Sequence, residues 1–183
     1  MGIAALLEEL KRIVPVPEAP IDVDQSMLAD TMKALNVEFP QDYLAYARVY
    51  GSGTIMAKYA WEIISPFRPN FPEFVRKFFR RQDGYRQPME TQHLPLGLFP
   101  EPGGLLPFGH EDDEYFTWKT DGDPDRWRVV VIWRYDEEGY QEFNMGFLEF
   151  LVGFLTLKLK VPGYDLLWDP KKDISFDPVI YGI

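Results

Sequence analysis

The densest chemistry in the chain is the run Glu111-Asp112-Asp113-Glu114. Paired carboxyl groups do acid–base work when held roughly 5–10 Å apart with unlike proton affinities. Successive residues on a strand point to opposite faces, so only alternate members of such a run can converge. No His or Asp cluster at metal-ligand spacing accompanies it. The run therefore reads as a solvated or partner-facing loop, with no metal and no catalytic role. Asp121, Asp123 and Asp125 imitate the opening of a calcium loop, but Arg126 stands where glycine is needed and Ile132 where a bidentate Glu is needed. That stretch is turn material.

His93 and His110 are the only histidines, and neither has a Ser nucleophile in a recognisable frame. Gly51-Ser-Gly53 lacks the spacing of a nucleophile elbow and is too short for a phosphate loop, so it reads as a helix stop. The absence of cysteine excludes disulfides, thiol chemistry and thiolate metal sites. Trp118, Trp127 and Trp133 flank the acidic turn. At least one belongs to the core. Trp118 and Trp133, with Tyr115, are candidates for a rim where aromatic rings beside charge anchor a partner.

Charge is unevenly spread. The chain of 183 residues carries a net −10. From Glu111 to Glu142 there are 11 acidic residues against 4 basic ones, a balance of −7. From Arg48 to Arg81 the balance is +5, with 7 basic residues against 2 acidic ones. The net charge argues against a nucleic-acid partner. An acidic surface on the strand layer would steer a basic protein. The basic helix face of Arg76, Lys77, Arg80 and Arg81 could instead pair with that surface inside the fold.

The elements that must position these residues follow from periodicity. Ile3, Leu6, Leu7, Leu10, Ile13 and Val14 have helical spacing, and Pro15, Pro17 and Pro20 then make a stiff linker. Asp24 can cap a second helix, and Pro40 opens a third that Gly51 stops. Residues 54–64 suggest a strand or hairpin, and Phe71 to Phe79 a fourth helix. Residues 85–104 read as a long surface loop. Strands follow at 105–109, 114–119 and 128–134, then a helix over 145–159 capped by Asn144. Helices first, strands in the middle and a helix last give an α+β domain, a central mostly antiparallel sheet flanked by N-terminal and C-terminal helices. Residues 1–183 form one domain, with 1–20 a helix and Pro-rich linker and 160–183 an irregular C-terminal arm. The N-terminus has no secretory pattern, because Glu8 and Glu9 interrupt the apolar run after five residues. The apolar window at 145–159 falls short of a membrane span of about 20 residues. The expectation is a cytoplasmic protein with no membrane partner.

Three segments together resemble the SUKH superfamily. Leu35-Asn-Val-Glu-Phe-Pro-Gln-Asp-Tyr-Leu44, running on to Val49-Tyr-Gly-Ser-Gly53, is similar to that family's opening. Leu105-Leu-Pro-Phe-Gly109, Tyr115-Phe-Thr-Trp118 and Val129-Val-Val-Ile-Trp133 are similar to its centre, and Phe147-Leu-Glu-Phe-Leu151 to its closing helix. The likeness covers about residues 22–158. It departs where Asp112-Asp113 stands in place of a Gly-Asp pair. The resemblance implies an α+β fold and a non-enzymatic, cofactor-free role: an immunity protein that neutralises a bacterial toxin, often a nuclease or deaminase. A basic toxin of that kind would suit the acidic segment, with Glu111, Asp112, Asp113, Glu114, Tyr115, Trp118 and Trp133 as the partner-binding set. Two alternatives stay open, a regulatory or scaffolding interaction module and a small-ligand protein or enzyme.

Overall fold

The computed structural model describes residues 2–85, 96–112, 114–133, 139–162, 164 and 168–178. Three helices lead: α1 (Ile3–Ile13), α2 (Gln25–Leu35) and α3 (Gln41–Tyr50). A hairpin of β1 (Gly53–Met56) and β2 (Ala60–Ile63) follows, then α4 (Phe71–Tyr85). The strand run β3 (Leu105–Glu111), β4 (Glu114–Lys119), β5 (Arg128–Ile132) and β6 (Tyr140–Phe143) leads into α5 (Phe147–Leu155) and a short β7 (Ser175–Asp177). All seven strands join one sheet in the order β6-β5-β4-β3-β2-β1-β7, and every neighbouring pair is antiparallel. The chain is an α+β protein with a central antiparallel sheet, as its patterning implies. Each strand from β1 to β6 pairs with the next, and β7 returns to close the β1 edge.

Alternation along the strands, with a bulge between Pro107 and Gly109 that shifts the phase of β3, sorts the side chains onto two faces. Phe108, Phe116, Trp118 and Trp61 meet α3 and α5 through ring contacts with Tyr43, Phe147, Phe150 and Phe154. On the opposite face His110 and Tyr115 meet Phe74 and Phe78 of α4. Helix α1 lies against α5 and α3, with Leu6, Leu10 and Val14 buried. A fully buried side chain of this kind contributes roughly 1.5–3 kcal/mol.

Asp24 caps α2, its carboxylate accepting the Ser26 N–H at 2.9 Å. Asn144 does not cap α5. That helix starts at Phe147 with Gly146 as its unaided cap residue, and the carboxylate comes from elsewhere. Asp42, in the first turn of α3, accepts the Leu148 N–H at 3.0 Å from 106 residues away. Asp125, in the turn before β5, accepts the Gln41 N–H of α3 at 2.7 Å. Two carboxylates in series thus fasten the turn to α3 and α3 to α5, each at a helix end whose N–H groups lack intrahelical partners. Burial raises the proton affinity of Asp42, while the Leu148 and Tyr43 N–H groups oppose that rise. Helix α5 is also shorter than its apolar pattern, ending at Leu155 where Leu157 turns left-handed at φ 61°. The described residues of the C-terminal arm are irregular except at β7. Of the long loop expected over 85–104, residues 86–95 lie outside the described residues. The rest returns alongside β3 through a bridge between Leu98 and Leu105.

Candidate functional site

The acidic run is a hairpin end. β3 ends at Glu111 and β4 begins at Glu114, and Asp112 between them takes φ 47°, a left-handed geometry that Asp tolerates and tight hairpin turns demand. Glu111 and Glu114 are therefore directly opposite each other across the strand pair. They share one face although they are three apart in sequence. Strand alternation alone missed this; the signal was a two-residue polar connection between two strand patterns. Asp112 is exposed and Glu111 and Glu114 are partly buried. Asp113 lies outside the described residues.

The C-terminal arm reaches this pair. The Tyr164 hydroxyl donates to Glu114 Oε2, and the Glu111 charge also acts on that hydroxyl. The Tyr164 ring stands edge-on to Tyr59 at 5.0 Å and to Phe154 at 5.3 Å. Burial, then the neighbouring Glu114 and Asp112 charges, pushes Glu111 up to about 7. Glu114 is also raised, by burial first, with the Tyr164 bond opposing the rise. Burial and the two glutamates push the Tyr164 hydroxyl far up.

A pH dependence follows. The folded chain holds a proton on Glu111 that the unfolded chain has lost above its ordinary value of 4.5. Stability from this group is full below that value and is lost as pH rises toward 7. Glu111→Gln should therefore raise unfolding free energy at pH 8 by on the order of 1 kcal/mol, solvent screening at this half-exposed position included. The gain should vanish near pH 4. Urea titrations at both pH values check it, and an equal gain at both would refute the charge explanation.

The aromatic members of the predicted set lie elsewhere. Trp118 is 0% exposed, Tyr115 6% and Trp133 4%. Alternation on β4 sends Trp118 under α3 and α5 and Tyr115 under α4, so neither can line an outer rim; Trp133, at the end of β5, is likewise enclosed. All three are core residues, as is Trp127. Two of the four basic residues of α4 are engaged within the helix, and the Arg81 side chain lies outside the described residues. Arg76 and Arg80 pair with Glu73 of their own helix. Lys119 and Arg128 hold Glu142, at 3.0 and 2.5 Å; burial lifts that carboxyl, but the two cations bring it below the ordinary range.

A second polar pair was illegible because its members are far apart in sequence. His110 Nε2 lies 3.2 Å from Glu62 Oε2, with side chains only 12% and 9% exposed. Strand register extends it into a row across five strands, Asp177, Thr54, Glu62, His110 and Tyr115. Such a carboxylate can orient an imidazole. Phe74 covers the ring. Among the described residues, no group of three or more His, Asp or Glu could hold a metal ion, and no helix is long and apolar enough to cross a membrane. No family model, curated protein or solved structure matches the chain.

Proposed function

We propose that this chain is a non-enzymatic, cytoplasmic protein-binding module that holds a basic partner at the β3–β4 hairpin end. One observation carries the reading. Glu111, Asp112 and Glu114 converge there, and among the described residues no ion pair reaches them, while Arg76 and Arg80 pair with Glu73 and Lys119 and Arg128 with Glu142. Crowded carboxylates of one sign are what a lysine- or arginine-rich surface complements. The resemblance to the SUKH superfamily supports the more specific form, an immunity protein whose partner is a basic nuclease-type or deaminase-type toxin.

The test begins with a toxin domain encoded beside this chain's gene, purified and mixed with it. Stoichiometric addition should abolish the toxin's activity. Neutralising the tip with Glu111→Gln and Asp112→Asn together should slow association about ten-fold at low salt and flatten its salt dependence. Both substitutions suit their backbone, Asn tolerating the left-handed geometry at 112. An association rate indifferent to salt and to these changes overturns the docking surface. A basic partner without toxin activity would retain the surface and overturn the immunity role.

A further inference from the structure

The C-terminal arm is tied to the sheet at separate places. Tyr164 bonds to the Glu114 carboxylate. Trp168 packs on Trp61 and Phe154 and donates its indole N–H to the Leu155 carbonyl at 3.1 Å. Phe176, in β7, stands against Tyr50 at 5.3 Å. The last two ties are apolar contacts or neutral hydrogen bonds. The first is of another kind, because the phenol donates to one of two carboxyl groups set opposite each other across the strand pair.

We infer that Glu111, Glu114 and Tyr164 form a proton-dependent clasp that fastens the C-terminal arm to the β3–β4 hairpin. The proton count gives the mechanism. With one carboxyl protonated, the site carries a single negative charge and Tyr164 donates to it. With both ionised, two like charges oppose each other across a strand pair, an arrangement that destabilises the pair, and the single phenol proton serves only one. Among the described residues, the groups named against the pair do not relieve this. Asp112 in the turn adds a further negative charge. Phe116 of β4, Trp61 of β2 and Phe154 of α5 offer rings against Tyr164. Lys58 beside Tyr59 sits over that ring at 5.4 Å from its centroid. Glu111 changes charge near neutrality because its proton affinity is raised to about 7. Loss of that proton weakens the Tyr164 seat, and the arm beyond it opens more often. The inference uses no partner and stands apart from the docking proposal.

Hydrogen exchange of the Trp168 indole N–H tests it, read as protection corrected for the intrinsic rate, with amides of β5 (Val129 to Val131) as a reference. Between pH 6 and 8 Trp168 protection should fall roughly ten-fold in the natural chain, while the β5 amides keep theirs. Glu111→Gln should remove the fall. Tyr164→Phe, which deletes the donor, should lower Trp168 protection at both pH values without a step between them. An unchanged Trp168 protection in the natural chain overturns the clasp. So does an equal fall in Glu111→Gln, or a fall shared by the β5 amides, which would mark a global effect.

Discussion

Replacing Trp118 with alanine should lower the free energy of unfolding by about 4 kcal/mol, the range seen when a buried large aromatic is removed. The indole is fully enclosed. Its ring lies 4.5 Å from Phe108, 4.7 Å from Tyr43, 6.1 Å from Trp127 and 6.4 Å from Phe39, measured between centroids. These partners come from α3, its approach, β3 and the turn before β5, so the cavity would loosen one packing centre shared by both halves of the chain. Collapse into it is difficult, because the neighbours are themselves rings fixed by edge-on contacts. Urea unfolding checks the expectation: the midpoint should drop with the slope unchanged. A surface anchor would behave otherwise, its loss falling within about 0.5 kcal/mol of no effect. The conservative change adds a second reading. Trp118 Nε1 is buried and has no hydrogen-bond partner among the described residues. Trp118→Phe removes that unpaired donor as well as volume, so the two terms oppose each other. The loss should be about half that of the alanine variant or less. A loss as large as alanine's would mean that the indole N–H is satisfied in solution.

The contrast between Trp118 and Glu111 shows what was legible in the sequence. Strand and helix periods located the elements, because β-branched and aromatic runs and i, i+3, i+4 spacing depend only on near neighbours. Asp24 as a cap and Gly51 as a stop were readable for the same reason. The direction of a strand face was not. Alternation says that Tyr115 and Trp118 point opposite ways, but it is silent on whether each face is covered, and α4 covers one while α3 and α5 cover the other. Contacts set by topology were equally hidden. Asp42 meets Leu148 across 106 residues, Tyr164 meets Glu114 across 50, and Glu62 meets His110 only because β2 and β3 are neighbours with α4 between them in the chain. Nothing in composition at either end announces such a pairing. The acidic run fell between these cases. Its place at a turn between strands was readable, but Glu111 and Glu114 are partly buried strand ends rather than a solvated loop, and their pairing depended on the length of the connection.

Gly51→Ala should be at least as damaging as the loss of the Trp118 ring, for a reason that lies in the backbone. Gly51 ends α3 at φ 68° and ψ −149°, a region that side-chain-bearing residues occupy only at a cost of about 1–3 kcal/mol. A Cβ there would sit 1.8 Å from the Ile21 carbonyl oxygen and 2.9 Å from its carbon. That carbonyl cannot retreat freely, because it accepts the Ser52 N–H at 3.1 Å. The next residue, Asp22, is held through its own carbonyl by Ser65 Oγ at 2.7 Å. Ser52 Oγ in turn accepts the Ser65 N–H at 2.9 Å. Displacing Ile21 therefore undoes the joint between the Pro-rich linker, the end of α3 and the segment after β2. The expected loss is about 4 kcal/mol or more, strain and broken hydrogen bonds together. Gly122 separates the two contributions. It has a similar φ, 67°, with nothing within 4 Å of an added Cβ. Gly122→Ala should cost only about 1–2 kcal/mol, the conformational part alone. Thermal and urea unfolding of the two variants side by side measure the difference. Equal losses would show that the Ile21 contact yields without penalty and that conformation alone reserves position 51 for glycine.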